Sequence, residues 1–144
     1  MGSLLRNGHL IRICRVVMGV VFIAAALAKI GDVAAFSTQI HNFRMMPVGL
    51  ENLVAMTLPW IELLAGLSLL LAIRPRSGGL IVTVLMAFFL VAVAVALGRG
   101  LDIECGCFGT ADGTRVGISK LSQNLVMLIL AFIGTQAPAS KPEA

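Results

Sequence analysis

Apolar residues run through this chain in four long blocks separated by polar stretches. Val16 to Ala28 contains no polar side chain, and Leu10, Ile11 and Ile13 extend that block toward the N-terminus. A second block runs from Leu50 to Ile73 and carries Pro59 and Glu62 within it. The third, Leu80 to Gly98, has no charge at all, and the fourth follows Ser119 and continues to about Gln136. A helix needs about 20 consecutive apolar residues to cross a bilayer core, so each block suffices for one crossing. The pattern predicts helices over about residues 10–33, 50–73, 80–98 and 119–136, with Ser119 as the N-cap of the last. Arg74-Pro75-Arg76-Ser77-Gly78-Gly79 reads as a tight turn between the second and third. Residues 34–50 and 99–117 are the longer polar connections. In the former, Phe36, Ile40 and Phe43 recur at helical spacing, which lays part of it along the membrane surface.

Composition turns this pattern into a fold class. The chain is 58% hydrophobic and 12% charged, whereas an ordinary soluble domain is roughly a quarter charged. A water-soluble fold would have too few polar groups to cover its surface; a bilayer removes that need. The class is therefore all-α, an integral membrane four-helix bundle, with one domain over residues 1–137 and a disordered tail over 138–144. The net charge of +4 does not point to nucleic acid, because the basic residues form no patch with interleaved aromatics. They mark topology instead. An even number of crossings places both termini on the side of the 74–79 turn, with Arg6, Arg12, Arg15, Arg74, Arg76 and Lys141. By the positive-inside rule both termini are cytoplasmic and both polar loops lie outside, with Arg12 and Arg15 snorkelling from the helix end into the headgroups.

The chemistry centres on Glu104-Cys105-Gly106-Cys107-Phe108-Gly109. Two thiols separated by one glycine close a disulfide only if the backbone bends, which Gly106 permits because it has no Cβ. So small a ring is strained, and strained, exposed disulfides are the labile, oxidising ones. As a loop staple it would remove almost no chain entropy. As half of a metal site it lacks further ligands, with only His9 and His41 in the chain, so no metal is expected. Redox pair, structural pin and metal half-site all remain open on the residues alone. Arg99 and Arg115 favour a thiolate while Asp102 and Glu104 oppose it. His41, on the same outer side, is either a solvated loop residue or an aid to thiol deprotonation. Cys14 sits near the cytoplasmic end of the first helix, roughly 25–30 Å from the outer loop at 1.5 Å rise per residue, and reads as a small buried hydrophobe.

Glu62 is the residue most at odds with its block. An ionisable side chain inside a spanning segment should face the bundle interior and have a partner, and Lys29 is the candidate. The pair is either a structural tie between helices or a group that handles protons or a bound headgroup. Pro59 frees the Ala55 carbonyl, which neighbours or water must satisfy. Trp60 belongs either to the interfacial belt or to the wall of a cofactor slot.

These residues together resemble the MauE family of methylamine-utilisation membrane proteins, within the wider DoxX-like four-helix group. The resemblance rests on Phe22-Ile23-Ala24-Ala25-Ala26-Leu27-Ala28-Lys29-Ile30, on Leu58-Pro59-Trp60-Ile61-Glu62-Leu63, and on Arg99-Gly100 leading into Cys105-Gly106-Cys107-Phe108-Gly109. It covers about residues 10–135. It implies a bacterial inner-membrane protein linked to disulfide formation or maturation of exported proteins, often beside a thioredoxin-like partner. The family's namesake supports production of the small subunit of methylamine dehydrogenase. By this resemblance Cys105 and Cys107 are the redox site, and Lys29 and Glu62 its membrane-embedded signature.

The sequence thus leads to a thiol–disulfide oxidoreductase of the plasma membrane. Cys105 and Cys107 would exchange electrons with a soluble thioredoxin-like partner or an exported disulfide-containing client. A quinone near Glu62 and Trp60 would complete the circuit, since the chain has no second cysteine pair. The competing readings are a non-enzymatic scaffold that docks a maturation factor and, behind it, a small transporter.

Overall fold

The computed structural model describes residues 7–47, 49–103 and 117–136. Among these residues every regular element is a helix: α1 (Gly8–Gly31), α2 (Val33–Phe43), α3 (Leu50–Leu70), α4 (Pro75–Gly98) and α5 (Ile118–Thr135). All but α2 are long and apolar enough to cross a membrane. At 1.5 Å per residue the shortest of these four spans about 27 Å, close to the thickness of a bilayer core. They form a ring in which α1 packs on α3, α3 on α4, α4 on α5 and α5 back on α1. Met18, Phe22, Ala65, Leu69, Val82, Met86 and Ala131 make the shared core. Large apolar side chains such as Leu64, Leu80, Val84 and Val91 point outward and stay exposed. In water so much apolar surface would drive association; against lipid it is the matching surface. The protein is an all-α membrane bundle.

The buried residues of α1 and α3 recur every three or four positions, as an interhelical seam requires. Ile11, Cys14, Met18, Phe22, Ala25 and Lys29 are buried on α1, and Ala55, Pro59, Glu62, Gly66 and Leu69 on α3. The two backbones meet where both residues are glycine. A Cβ at Gly19 would lie 2.9 Å from the Gly66 carbonyl oxygen, and one at Gly66 would lie 2.9 Å from that of Gly19. Small residues allow this approach between membrane helices, where dispersion contacts take over from the hydrophobic effect.

Several element ends differ from the sequence pattern. The first helix stops at Gly31 rather than about 33, because Asp32 caps a separate helix: its carboxylate accepts from the Ala35 amide at 3.0 Å. The connection after it is therefore largely helical, and α2 packs against α3. The third block begins at Pro75 instead of Leu80. Proline is well suited to the first helical position, where its missing N–H is not needed, so the real turn is residues 71–74. It holds Ala72 and Arg74 at φ of 55° and 47°, and the Ser68 hydroxyl closes it by donating to the Ile73 carbonyl. The last helix starts at Ile118 with Gly117 as its cap, leaving Ser119 inside the first turn. At the other end of α4, Gly100 takes φ of 66°, and the Gly100 and Leu101 amides donate to the Leu97 and Ala96 carbonyls. This is a glycine-terminated helix end of the Schellman type.

Candidate functional site

Lys29 lies in the last turn of α1 and Glu62 past the middle of α3. Helical side chains lean toward the N-terminus of their own helix. Because α1 and α3 are antiparallel, Lys29 leans into the bundle while Glu62 leans toward the end where Lys29 sits. Their side chains meet: Lys29 Nζ donates to Glu62 Oε1 at 2.7 Å and to Oε2 at 2.9 Å. Both are buried, at 0% and 1% exposure. Two aromatic rings complete the ammonium's surroundings, Phe36 from α2 and Phe89 from α4, each with its centroid 5.0 Å from Nζ. Desolvated cation–π contacts of this kind contribute about 2 kcal/mol or more, and the negative ring faces stand where water would otherwise solvate the charge. Four elements therefore converge on one cation. The sequence pattern singled out Lys29 and Glu62 as a pair, but it marked Phe36 only for its helical spacing and Phe89 not at all.

Two cavities adjoin this centre. The larger lies between α2, α3 and α4 and is lined by Phe36, Gln39, Ile40, Phe43, Met45, Met46, Val54, Leu58, Phe88, Phe89, Ala92 and Val93. It is open at its mouth and holds about 50 Å³ of free space, and its walls are apolar apart from Gln39. The smaller lies on the opposite side of Phe89, where Glu62 and Asn124 share a wall with Phe22, Ala25 and Met86. Pro59 is buried on the α3 seam, and the helix runs through it without a break. Trp60, one residue on, is 55% exposed on the lipid-facing side of α3 and lines neither cavity.

The polar residues around α2 are more engaged than a loop reading allows. His41 belongs to the last turn of α2, and its Nδ1 lies 3.0 Å from both carboxylate oxygens of Glu51 on α3. Ser37 donates to Asn52 at 2.6 Å. Arg99, at the end of α4, donates to the carbonyls of Phe43 and Arg44 at 3.4 Å. These contacts dock α2 over the Lys29 end of the bundle. Cys105, Gly106, Cys107, Phe108 and Gly109 lie outside the described residues.

At the opposite end Arg15 overturns the snorkelling expectation. It is 8% exposed, and its Nε and Nη2 donate to the carbonyls of Gly134 at 2.8 Å and Gln136 at 2.9 Å. The last carbonyls of a helix have no partner within it, so a guanidinium from α1 closes the end of α5. Arg12, three residues earlier, is exposed and remains able to reach the headgroups. Cys14, beside Arg15, is a free thiol with 2% exposure.

Comparison with known proteins bears on the whole chain. The family model for "Methylamine utilisation protein MauE" matches residues 7–137. The methylamine utilization protein MauE of Paracoccus denitrificans is 32% identical over 130 residues, 89% of this chain and 70% of that one. The protein of the same name from Methylorubrum extorquens is 30% identical over 124 residues, covering 83% and 67% of the two chains. The one from Paracoccus versutus is 31% identical over 128 residues, covering 87% and 68%. No solved structure matches.

Proposed function

This chain belongs to the MauE family and is a multi-pass membrane protein, and from that premise we propose that it is a membrane-bound maturation factor working by thiol–disulfide exchange. Cys105 and Cys107 are its working pair. The observation that supports this reading is the burial of the third thiol at the far end of the bundle. Cys14 is buried in the first half of α1, beside Arg15 and the end of α5, whereas the chain leaves α4 for the segment with Cys105 and Cys107 at the Lys29 end. A third thiol so placed speaks against a relay of thiols within the chain, and the pair trades electrons with a separate protein.

In the exchange, a thiolate of a thioredoxin-like partner or exported client attacks one sulfur of the Cys105–Cys107 disulfide. The S–S bond breaks, a mixed disulfide forms, and the partner's second thiolate displaces this chain's sulfur. The partner loses two electrons and the Cys105/Cys107 pair gains them as a dithiol; the reverse sequence reduces the partner. The names of the relatives suggest that the client serves methylamine utilisation. The family resemblance implies a bacterial inner membrane, and the basic residues favour an orientation with this pair outside. Arg15 no longer counts toward that argument, since α5 holds it, but Arg12, Arg74 and Arg76 remain exposed at its end.

A quinone is the proposed second terminal, supplying a two-electron acceptor for the dithiol. The apolar and aromatic walls of the larger cleft suit such a ring. Trp60 faces away and takes no part. The test is mixed-disulfide formation in nanodiscs with a soluble thioredoxin-like protein. Cys107→Ser should trap a covalent complex through Cys105, and Cys105→Ser should abolish exchange. If Cys105→Ser exchanges as fast as the parent protein, the redox reading is wrong and a scaffold role replaces it.

A further inference from the structure

The smaller cavity beside the ion pair has a polar group that the pair does not use. Asn124 on α5 is 3% exposed, and its amide nitrogen finds no hydrogen-bond partner among the described residues. It lines the same cavity as Glu62. Buried amides are nearly always hydrogen-bonded, and one lodged among Phe22, Met86, Phe89 and Met127 has no polar side chain to turn to other than Glu62.

The chemistry of the two walls selects the ligand. A carboxylate engaged by an ammonium only accepts hydrogen bonds, while an amide accepts at one end and donates at the other. A group bonded to both must therefore carry an O–H or N–H that donates to Glu62. It must also offer the amide either a lone pair or a second hydrogen. A ketone oxygen has no hydrogen to give, and an anion is repelled by Glu62. Water meets the requirement whichever end of the amide faces the cavity. Size selects it again. The free space is about 10 Å³, about what one water molecule needs and too little for a larger hydroxyl compound.

We propose that Glu62 and Asn124 together bind one water molecule, which ties α5 into the ion pair formed by α1 and α3. Water is held there by two partners, and Glu62 becomes the point where a side chain from α1 and one from α5 meet. Neither partner is among the thiols, so the proposal stands or falls apart from the redox reading.

Two measurements test it. In isotope-labelled protein in nanodiscs, a water-selective nuclear Overhauser experiment should give a cross-peak between water and the Asn124 side-chain amide protons. A protected amide signal without that cross-peak overturns the proposal, and this readout needs no variant to fold. Asn124→Leu keeps the shape but removes the polar group. With a bridging water, the variant strands the water and lowers the thermal midpoint by several degrees. If the amide were simply unsatisfied, its removal would leave the midpoint unchanged or raise it, and either result overturns the proposal.

Discussion

At one end of the bundle Arg15 donates to the main-chain carbonyls of Gly134 and Gln136; at the other Lys29 donates to the side-chain carboxylate of Glu62. Both are buried cations in helix α1, yet they are stabilised by different means. The carbonyls at the end of α5 exist whatever side chains that helix carries, so the Arg15 latch depends on geometry more than on sequence. Lys29 has a single counter-ion, and that residue depends on it in turn. Desolvating either ion alone costs several kcal/mol. The first arrangement tolerates drift in its partner; the second allows change only in pairs.

The largest effect should come from breaking the second arrangement. Lys29→Ala leaves Glu62 alone among apolar side chains and is expected to lower stability by about 3–5 kcal/mol, read as a lower unfolding midpoint of the purified protein in detergent. Combining Lys29→Met with Glu62→Leu should recover most of that loss, because an apolar pair of similar volume has no charge to desolvate. If the double variant is no better than the worse single, the pair does not act as a unit. At the other end, Arg15→Met removes two charge-assisted hydrogen bonds and is expected to cost about 1.5–3 kcal/mol. Amide hydrogen exchange should then rise in the last turn of α5 and not around Glu62. Smallest is the contact between the two ends. Gly66→Ala inserts a methyl group against the Gly19 carbonyl and should cost roughly 1–3 kcal/mol by overpacking, seen as a lower midpoint with both ends loosened alike.

The same contrast explains what could be read from the sequence. Lys29 and Glu62 stood out because charges interrupt apolar blocks, and four blocks of spanning length announced four helices. Arg15 has the same charge but sits near a block's end, where snorkelling is the ordinary outcome; only the position of α5 reveals its partner. The segment with Gln39, His41 and Asn42 read as a polar connection, with part of it laid along the membrane surface by the helical spacing of Phe36, Ile40 and Phe43. It is a helix because Asp32 caps it and because Phe36 and Gln39 bury against the bundle. Asn124 gave no such signal, because it follows Ser122 and Gln123 at the polar edge of the fourth block. The start of α4 at Pro75 was hidden by the Arg-Pro-Arg-Ser-Gly-Gly composition, which resembles a turn until the proline is recognised as a first-turn residue. Cys105 and Cys107 were legible as chemistry, through their spacing, and not as geometry.

Lys29 and Glu62 are 33 positions apart, and that interval is also a delay. At about 5–20 residues per second of synthesis, α1 waits roughly two to seven seconds before its counter-ion emerges. During that wait the ammonium has only the headgroup region to retreat to, which its place in the last turn of α1 allows. Glu62 arrives inside its own helix and has no such refuge. Insertion of α3 beside α1 is therefore the moment at which both charges leave water, and a chain whose second block enters elsewhere retains an unneutralised acid that marks it as misassembled.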